Sequence, residues 1–303
     1  MAIPSSVKLT VRRSASPLPR QARVALPSPE EDRGASPIVK WAGGKSRLLD
    51  ELVARAPETY RRYFEPFVGG AALYFRLRPR NAVLGDSNPD LINMYRCVAW
   101  HVEAVIRRLA RHREAHDADY YYEMRERWNS AGGLPADVDR AAAFIYLNKT
   151  CYNGLWRVNS RGQFNVPIGR YDDPAIFDRL QLRAASRVLQ RAELKRCHFA
   201  DAVSSAGAGD LVYFDPPYHP LSVTAHFTSY TSASFGADDQ RQLADVARAL
   251  VRRGCHVIVS NSDTAFVRDL YRDFRIETVD CARAINSKAS ARGPLRELLI
   301  RGD

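Results

Sequence analysis

The stretch Asp210-Leu211-Val212-Tyr213-Phe214-Asp215-Pro216-Pro217-Tyr218 decides how the rest of the chain is read. Its apolar part, Leu211 to Phe214, has the length and residue types of a buried strand. Two consecutive prolines remove two backbone donors and fix φ twice, so the strand stops at Asp215. The four residues from Asp215 to Tyr218 then make a stiff turn offering a carboxylate, backbone carbonyls and an aromatic face. In an open α/β sheet the carboxyl end of a strand is where ligands bind. These groups suit a planar base bearing an amine: acceptors for its hydrogens and a ring to stack on. Asp-Pro also simply begins turns, so the four residues alone divide evenly between the two readings.

Strand-like segments recur on both sides of this one: Arg62 to Phe67, Ala82 to Asp86, Lys195 to Asp201, His256 to Ser260, Arg275 to Val279 and Leu295 to Arg301. Helical periodicity separates them over Ser46 to Val53, from Ala71, over Asp238 to Arg253 with Gly254 as the stop, and over Thr264 to Arg272. Asn88 reads as an N-cap followed by Pro89 at the first helical position. The alternation predicts an α/β protein with a doubly wound, mainly parallel sheet of seven strands. Residues 91–190 break the rhythm. They read as helical, then loop-rich around Tyr152 to Tyr171, and are expected to form an inserted helical lobe. The organisation expected is therefore a domain built from 38–90 and 191–303, the lobe 91–190, and a disordered extension over 1–37 that is rich in Pro, Ser, Ala and Arg. Arg12-Arg13 is not followed by the apolar segment of a signal peptide.

The chain has 303 residues, 46% of them hydrophobic, which suffices for a sizeable core. Its net charge of +11 favours a polyanionic partner. The five cysteines are scattered, odd in number and without zinc-site spacing, so neither a disulfide framework nor a metal site is expected. No apolar run approaches the roughly 18 residues of a membrane span, and a reducing cytoplasm is the expected setting.

Phe67-Val68-Gly69-Gly70 lies between a strand and a helix, where glycines let a ligand approach the backbone. Asp86 ends the next strand, the place where an acid binds ribose hydroxyls in dinucleotide folds. The pair suits an adenosine-containing ligand, but the glycines do not form G-x-G-x-x-G, which disfavours a nicotinamide cofactor. Gly43-Gly44-Lys45-Ser46 lacks the first glycine of a phosphate loop, since position 39 is Val39.

Six motifs occur in order: Lys40-Trp41-Ala42-Gly43-Gly44-Lys45, Glu65-Pro66-Phe67-Val68-Gly69-Gly70, Gly85-Asp86-Ser87-Asn88, Tyr152-Asn153-Gly154-Leu155-Trp156-Arg157-Val158-Asn159, Gly162-Gln163-Phe164-Asn165-Val166-Pro167 and Asp215-Pro216-Pro217-Tyr218. Over residues 38 to about 301 the chain resembles the Dam-type (D12 class, α-order) DNA adenine-N6 methyltransferases. His219 to Thr228 and Ser260-Asn261-Ser262-Asp263 also look like the family. The resemblance implies a Rossmann-like methyltransferase fold, S-adenosyl-L-methionine as methyl donor, no metal, and double-stranded DNA as partner. It implies a cofactor pocket lined by Trp41, Lys45, Phe67 and Gly69, with Asp86 on the ribose. Phe199 and Asp201 would stand near the cofactor adenine, and Asp215 between the methionine amino group and the target amine. Plain core packing is the other reading of Phe199.

The chemistry expected of the turn is direct. The exocyclic nitrogen of adenine is a poor nucleophile because its lone pair is delocalised. Asp215 and a proline carbonyl of Pro216-Pro217, accepting both N–H bonds, draw the nitrogen toward a tetrahedral shape, and Tyr218 stacks on a base flipped out of the duplex. In the lobe, Tyr152 is expected to fill the gap or stack beside that base. Asn153, Leu155 and Arg157 are expected to approach base edges, and Asn159, Arg161 and Arg170 phosphates. Asn153-Gly154 as a mere turn and Leu155 as core are the competing readings. Asp172-Asp173, two acids beside Arg170-Tyr171, weaken the case for a backbone contact there.

The activity expected is thus adenine-N6 methylation in a short palindrome such as GATC, by a monomer acting at the nucleoid. Two alternatives stand beside it: an N4-cytosine DNA methyltransferase, which uses the same amine chemistry, and a sequence-specific DNA-binding protein without catalysis. Solitary regulator, phage enzyme and partner of a cognate restriction endonuclease are all compatible settings.

Overall fold

The computed structural model describes residues 32–41, 45, 48–130, 133–134, 137–220, 235–281 and 295–303. The Gly43-Gly44 turn, residues 1–31 of the expected extension and the family-like stretch from Leu221 to Thr228 lie outside them. Seven strands form one sheet: β1 Tyr63–Glu65, β2 Ala82–Asp86, β3 Ala192–Arg196, β4 Leu211–Phe214, β5 His256–Ser262, β6 Arg275–Cys281 and β7 Leu295–Gly302, in the order β3-β2-β1-β4-β5-β7-β6. β1 to β5 run parallel, and β7 is antiparallel to both β5 and β6.

The strands form because their residues alternate between two apolar layers. Tyr63, Leu84, Leu211, Tyr213 and Ile258 enter one core; Phe64, Val83, Val212, Phe214, Val257 and Val259 enter the other. Both faces are covered, which is why β4 reads as a continuous apolar run rather than as an alternation. Each such side chain contributes about 1.5–3 kcal/mol by leaving water. The first layer is closed by α1 Leu49–Arg55, α2 Ala72–Leu77, α3 Pro89–Glu114, α4 Ala118–Asn129, α5 Val138–Thr150 and α6 Arg179–Leu189; the second by α8 Ala237–Arg252 and α9 Ala265–Leu270. α3 starts as its sequence indicates: the Asn88 side chain accepts from the N–H groups of Asp90 (2.9 Å) and Leu91 (3.1 Å), and Pro89 follows. Gly254 ends the α8 segment at φ +79, a conformation that favours glycine.

Two boundaries differ from the sequence reading. The strand expected over Lys195 to Asp201 is β3, Ala192–Arg196, and Phe199–Ala202 is instead a short helix, α7. His198 caps it, its Nδ1 accepting from Ala200 N–H at 3.4 Å, so the apolar Phe199 begins a helix turn rather than ending a strand. Packing also begins by Asp32, within the stretch read as an extension: Asp32 is buried against Arg191 (2.7 Å), and Ala35 lies in the core.

The topology places the site. β1 has β2 on one side and β4 on the other, so the chain leaves the sheet centre in opposite directions from β1 and β4. A crevice opens outside the carboxyl ends of strands at such a switch point. Glu65-Pro66-Phe67 and Asp215-Pro216-Pro217-Tyr218 leave from there side by side.

Candidate active site and DNA-reading turn

Asp215 is 21% exposed, and its carboxylate is bonded by the Lys45 ammonium at 2.8 Å; Lys45 itself is only 6% exposed. The same ammonium lies over the Tyr218 ring, 4.6 Å from its centroid. Burial raises the Asp215 carboxyl above its ordinary range, the Lys45 charge pulls it back, and the charge on Glu297 adds to the rise. Just behind lies Glu65, buried and bonded by the Tyr63 hydroxyl at 2.9 Å. Desolvation pushes its carboxyl up to about 8, opposed by the Tyr63 bond and reinforced by Asp215, so Glu65 is largely neutral at pH 7.

The turn is held from below by buried amides. Gln240 Nε2 donates to the Pro217 carbonyl at 2.9 Å, and Asn261 Nδ2 donates to Gln240 Oε1 at 2.9 Å. Asn261 Oδ1 in turn accepts from His219 N–H (3.2 Å), and the Ser262 hydroxyl donates to the His219 carbonyl (2.6 Å). A buried network whose members are paired is rigid, because breaking any one bond strands a polar group away from water. Gln240 and Glu297 carry no functional signal in the sequence. They lie in α8 and β7, far along the chain, and only folding brings them to the turn.

Beside the turn, Asp86 ends β2. Its Oδ2 accepts from Gly69 N–H (3.2 Å) and its Oδ1 from Asn88 N–H (2.9 Å). Desolvation raises the Asp86 carboxyl to about 6, against the lowering effect of these donors. Gly69 has φ +43, and a Cβ there would sit 2.8 Å from Trp41 Cδ1, so glycine is required on both counts. Phe67 stacks on Phe199 (5.3 Å between centroids, 26°), with Phe235 edge-on to both. Of the residues read as cofactor-binding, Trp41, Gly69 and Asp86 are thus gathered at one place, and Phe67 and Phe199 are in contact. Lys45 reaches Asp215 and Tyr218. Asp201 is exposed on α7.

The second candidate region lies after α5. Tyr152, Asn153 and Gly154 form a single helical turn with Asn153 at φ 56. Tyr152 is 51% exposed. Asn148, fully buried, roots the turn. Its Oδ1 accepts from Lys40 N–H at 2.8 Å, and its Nδ2 donates to the carbonyls of Lys40 (2.8 Å) and Gly154 (3.1 Å). Trp156 is buried between Phe144 (4.2 Å) and Phe164 (4.4 Å), and Leu155 packs half-buried against the same core. Arg157 is exposed, with its Nε held by Asn165 Oδ1 at 2.9 Å. Asn159 engages its amide within its own turn, bonding Gln163 Oε1 (3.1 Å) and accepting from the N–H groups of Arg161 and Gln163 (3.0 Å each). The side chains of Arg161 and Arg170 are exposed. Among the described residues no cluster of His, Cys, Asp or Glu is placed to hold a metal ion, and no helix is long and apolar enough to cross a membrane.

A seven-stranded, mostly parallel sheet with an acidic strand end and an Asp-Pro-Pro-Tyr turn at its switch point defines a Rossmann-like methyltransferase. Residues 41–285 match the D12 class N6 adenine-specific DNA methyltransferases, and the chain belongs to that family. It is 41% identical over 268 residues to the Type II methyltransferase M1.LlaDCHI of Lactococcus lactis subsp. cremoris, covering 87% of this chain and 94% of that protein. Identity to the Type II methyltransferase M.MjaIII of Methanocaldococcus jannaschii is 39% over 282 residues, with 87% and 98% covered. For the DNA adenine methylase of Escherichia coli K12 it is 38% over 265 residues, with 86% and 93% covered. The protein is an adenine-specific DNA methyltransferase, which decides between the two amine targets in favour of adenine.

Proposed function

We propose that this enzyme transfers a methyl group from S-adenosyl-L-methionine to N6 of an adenine flipped out of duplex DNA, within a short palindrome such as GATC. The observation that carries the reading is the half-buried Asp215 carboxylate set beside the Tyr218 ring at the end of β4, with Asp86 at the end of β2. S-adenosyl-L-methionine supplies a sulfonium methyl open to in-line displacement. The residues present fit it. Gly69 lets the Trp41 ring lie against the turn, the Asp86 oxygens keep lone pairs for ribose hydroxyls, and Phe67, half-buried over the core residue Phe199, offers apolar ring surface for the adenine, with Asp201 at the margin.

Asp215 acts on the target amine. With the Pro217 carbonyl already accepting from Gln240, the Pro216 carbonyl is the second acceptor for the amine hydrogens. Both acceptors favour a pyramidal nitrogen with a free lone pair, and both are prepositioned, so catalysis rests on orientation and electrostatics. Lys45 pairs with Asp215 and covers Tyr218, so a base entering the site would take its place on the ring. The proton lost from the methylated nitrogen passes to Asp215 or water.

Residues 91–190 serve as the target-recognition lobe on the catalytic domain of 38–90 and 191–303. Tyr152 occupies the gap or stacks beside the base, and Asn153, Leu155 and Arg157 read base edges. Arg161 and Arg170 meet phosphates, while Asn159 shapes the turn that presents them. The enzyme works as a monomer in the cytoplasm, at the nucleoid, and a cognate restriction endonuclease is one candidate partner. The name DNA adenine methylase, carried by one relative, supports adenine in DNA as the target. Long-read mapping of modified bases in host DNA after expression tests base and site together. Methylated adenine in one short motif is expected, and methylation without sequence preference would overturn the reading.

A further inference from the structure

We propose that Glu297 is a positioning residue for methyl transfer, setting and polarising the Tyr218 ring on which the target base stacks. This rests on the stacking role proposed for Tyr218. The Tyr218 hydroxyl donates to Glu297 Oε2 at 2.6 Å, the short distance of a charge-assisted bond. Burial and the charges of Asp215 and Glu297 hold the Tyr218 phenol well above its ordinary range, so it stays a donor across the working pH.

The bond has a job the other contacts leave undone. The buried amides fix the backbone of the turn, through the Pro217 carbonyl and the N–H and carbonyl of His219. None of them grips the ring. Lys45 covers one face of it, and a face contact leaves the tilt of a ring unset. A bond at the far end of the phenol sets that tilt. Glu297 is well placed to give it, since β7 is paired on both sides, with Ser262 of β5 and Val279 of β6 opposite Glu297.

The carboxylate also changes the ring. A phenol donating to an anion has a more electron-rich face, and such a face attracts positive charge. Positive charge is what the amine acquires as the methyl arrives. If Glu297 served only packing, an apolar residue in the middle of a strand would serve better than a carboxylate.

The test compares Glu297→Ala, Glu297→Gln, Tyr218→Phe and the Glu297→Ala/Tyr218→Phe double variant. The measurements are steady-state methylation of duplex DNA and fluorescence of 2-aminopurine at the target position. Glu297→Ala is expected to lower kcat about tenfold or more, as small misplacements of reacting groups do, with KM for S-adenosyl-L-methionine changed less than about twofold. Glu297→Gln, whose amide oxygen still accepts from the phenol but carries no charge, should recover only part of that loss, the remainder reporting the polarisation of the ring. In the Tyr218→Phe background the second substitution should add nothing. Full activity of Glu297→Ala, or an equal loss with and without the Tyr218 hydroxyl, would overturn the proposal. If Glu297→Ala does not fold, Glu297→Gln is compared with and without Tyr218→Phe, and a loss independent of the hydroxyl is again the refuting result. Tyr218→Ala separates the role of the ring from that of the carboxylate. If it leaves the 2-aminopurine signal unchanged, the stacking role fails; if it shifts the signal while Glu297 variants stay silent, only the role of Glu297 fails.

Discussion

The turn at Asp215 to Tyr218 and the turn at Tyr152 to Arg157 are built to opposite specifications. The first is enclosed. Its carboxylate is paired with a buried ammonium, its carbonyl and amide groups are held by Gln240, Asn261 and Ser262, and its ring is bonded by Glu297. The second is buried only at its root, where Asn148 and Trp156 anchor it, and Tyr152 and Arg157, the side chains proposed to meet DNA, are exposed. Methyl transfer needs groups fixed relative to one another before the substrate arrives. Reading a duplex needs groups that project into a groove from a stiff base. The same device, a buried side-chain amide bonding backbone, serves both, at the turn itself in one case and beneath it in the other.

Substitutions that separate chemistry from recognition test this contrast most severely. Asp215→Ala is expected to abolish methyl transfer while duplex binding stays near wild type, because phosphate contacts supply most of the affinity. Activity within tenfold of wild type would show that the enclosed turn is not the reacting centre. Asp86→Ala should weaken S-adenosyl-L-methionine binding about tenfold or more, a loss of roughly 1.5–3 kcal/mol for a bond to a charged group. Because the Asp86 carboxyl titrates at about 6 and the ionised form is the better acceptor, cofactor affinity of the wild type should fall as pH drops through that value. Calorimetry showing unchanged affinity in the variant, or a flat profile between pH 5 and 7, would remove Asp86 from the ribose.

On the reading side, Arg157→Ala should relax sequence choice, a bidentate base contact being worth about 1–3 kcal/mol of discrimination. Arg170→Ala should instead weaken binding evenly over all sequences and flatten the salt dependence. Methylation rates on the cognate site and its single-base variants decide. An even slowing by Arg157→Ala moves the reading head elsewhere in the lobe.

The smallest effect expected is on stability. Glu65 has a folded carboxyl near 8 against an ordinary value of 4.5, so the stability of its neutral form is fully present below about 4.5 and is lost progressively as pH rises from there to about 8. Glu65→Gln removes that loss. It should melt about a few degrees higher than wild type at pH 8 and match it near pH 4. Equal melting temperatures at pH 8 would mean that the carboxyl is better solvated than its enclosure indicates.

Much of this is legible along the chain. β4 announces itself by four consecutive apolar residues bounded by Asp210 and a double proline, and α3 by Asn88-Pro89, since strand burial and helix capping are local properties. The end of β3 is not legible in the same way. Phe199, an apolar residue next to a strand, has the same local signature whether it ends the strand or opens a helix turn; the cap by His198 decides. Arg157 is legible as a candidate, but the residue that holds it, Asn165, follows from the folding of the 158–164 segment back on itself.

The order of six motifs, the alternation of strands and helices and the basic charge determined by themselves the class of fold, the family and the adenine-specific DNA methyltransferase activity. Tertiary structure alone decided that Lys45 lies on Asp215 and Tyr218, that Gln240 holds Pro217, that Glu297 holds Tyr218, and that Asn148 ties Lys40 to Gly154. The physical reason is the kind of information each carries. A strand, a cap or a proline turn is set by neighbours a few residues apart, whereas these contacts join residues brought together only by sheet order and helix packing, and no local pattern records which strand will lie beside which.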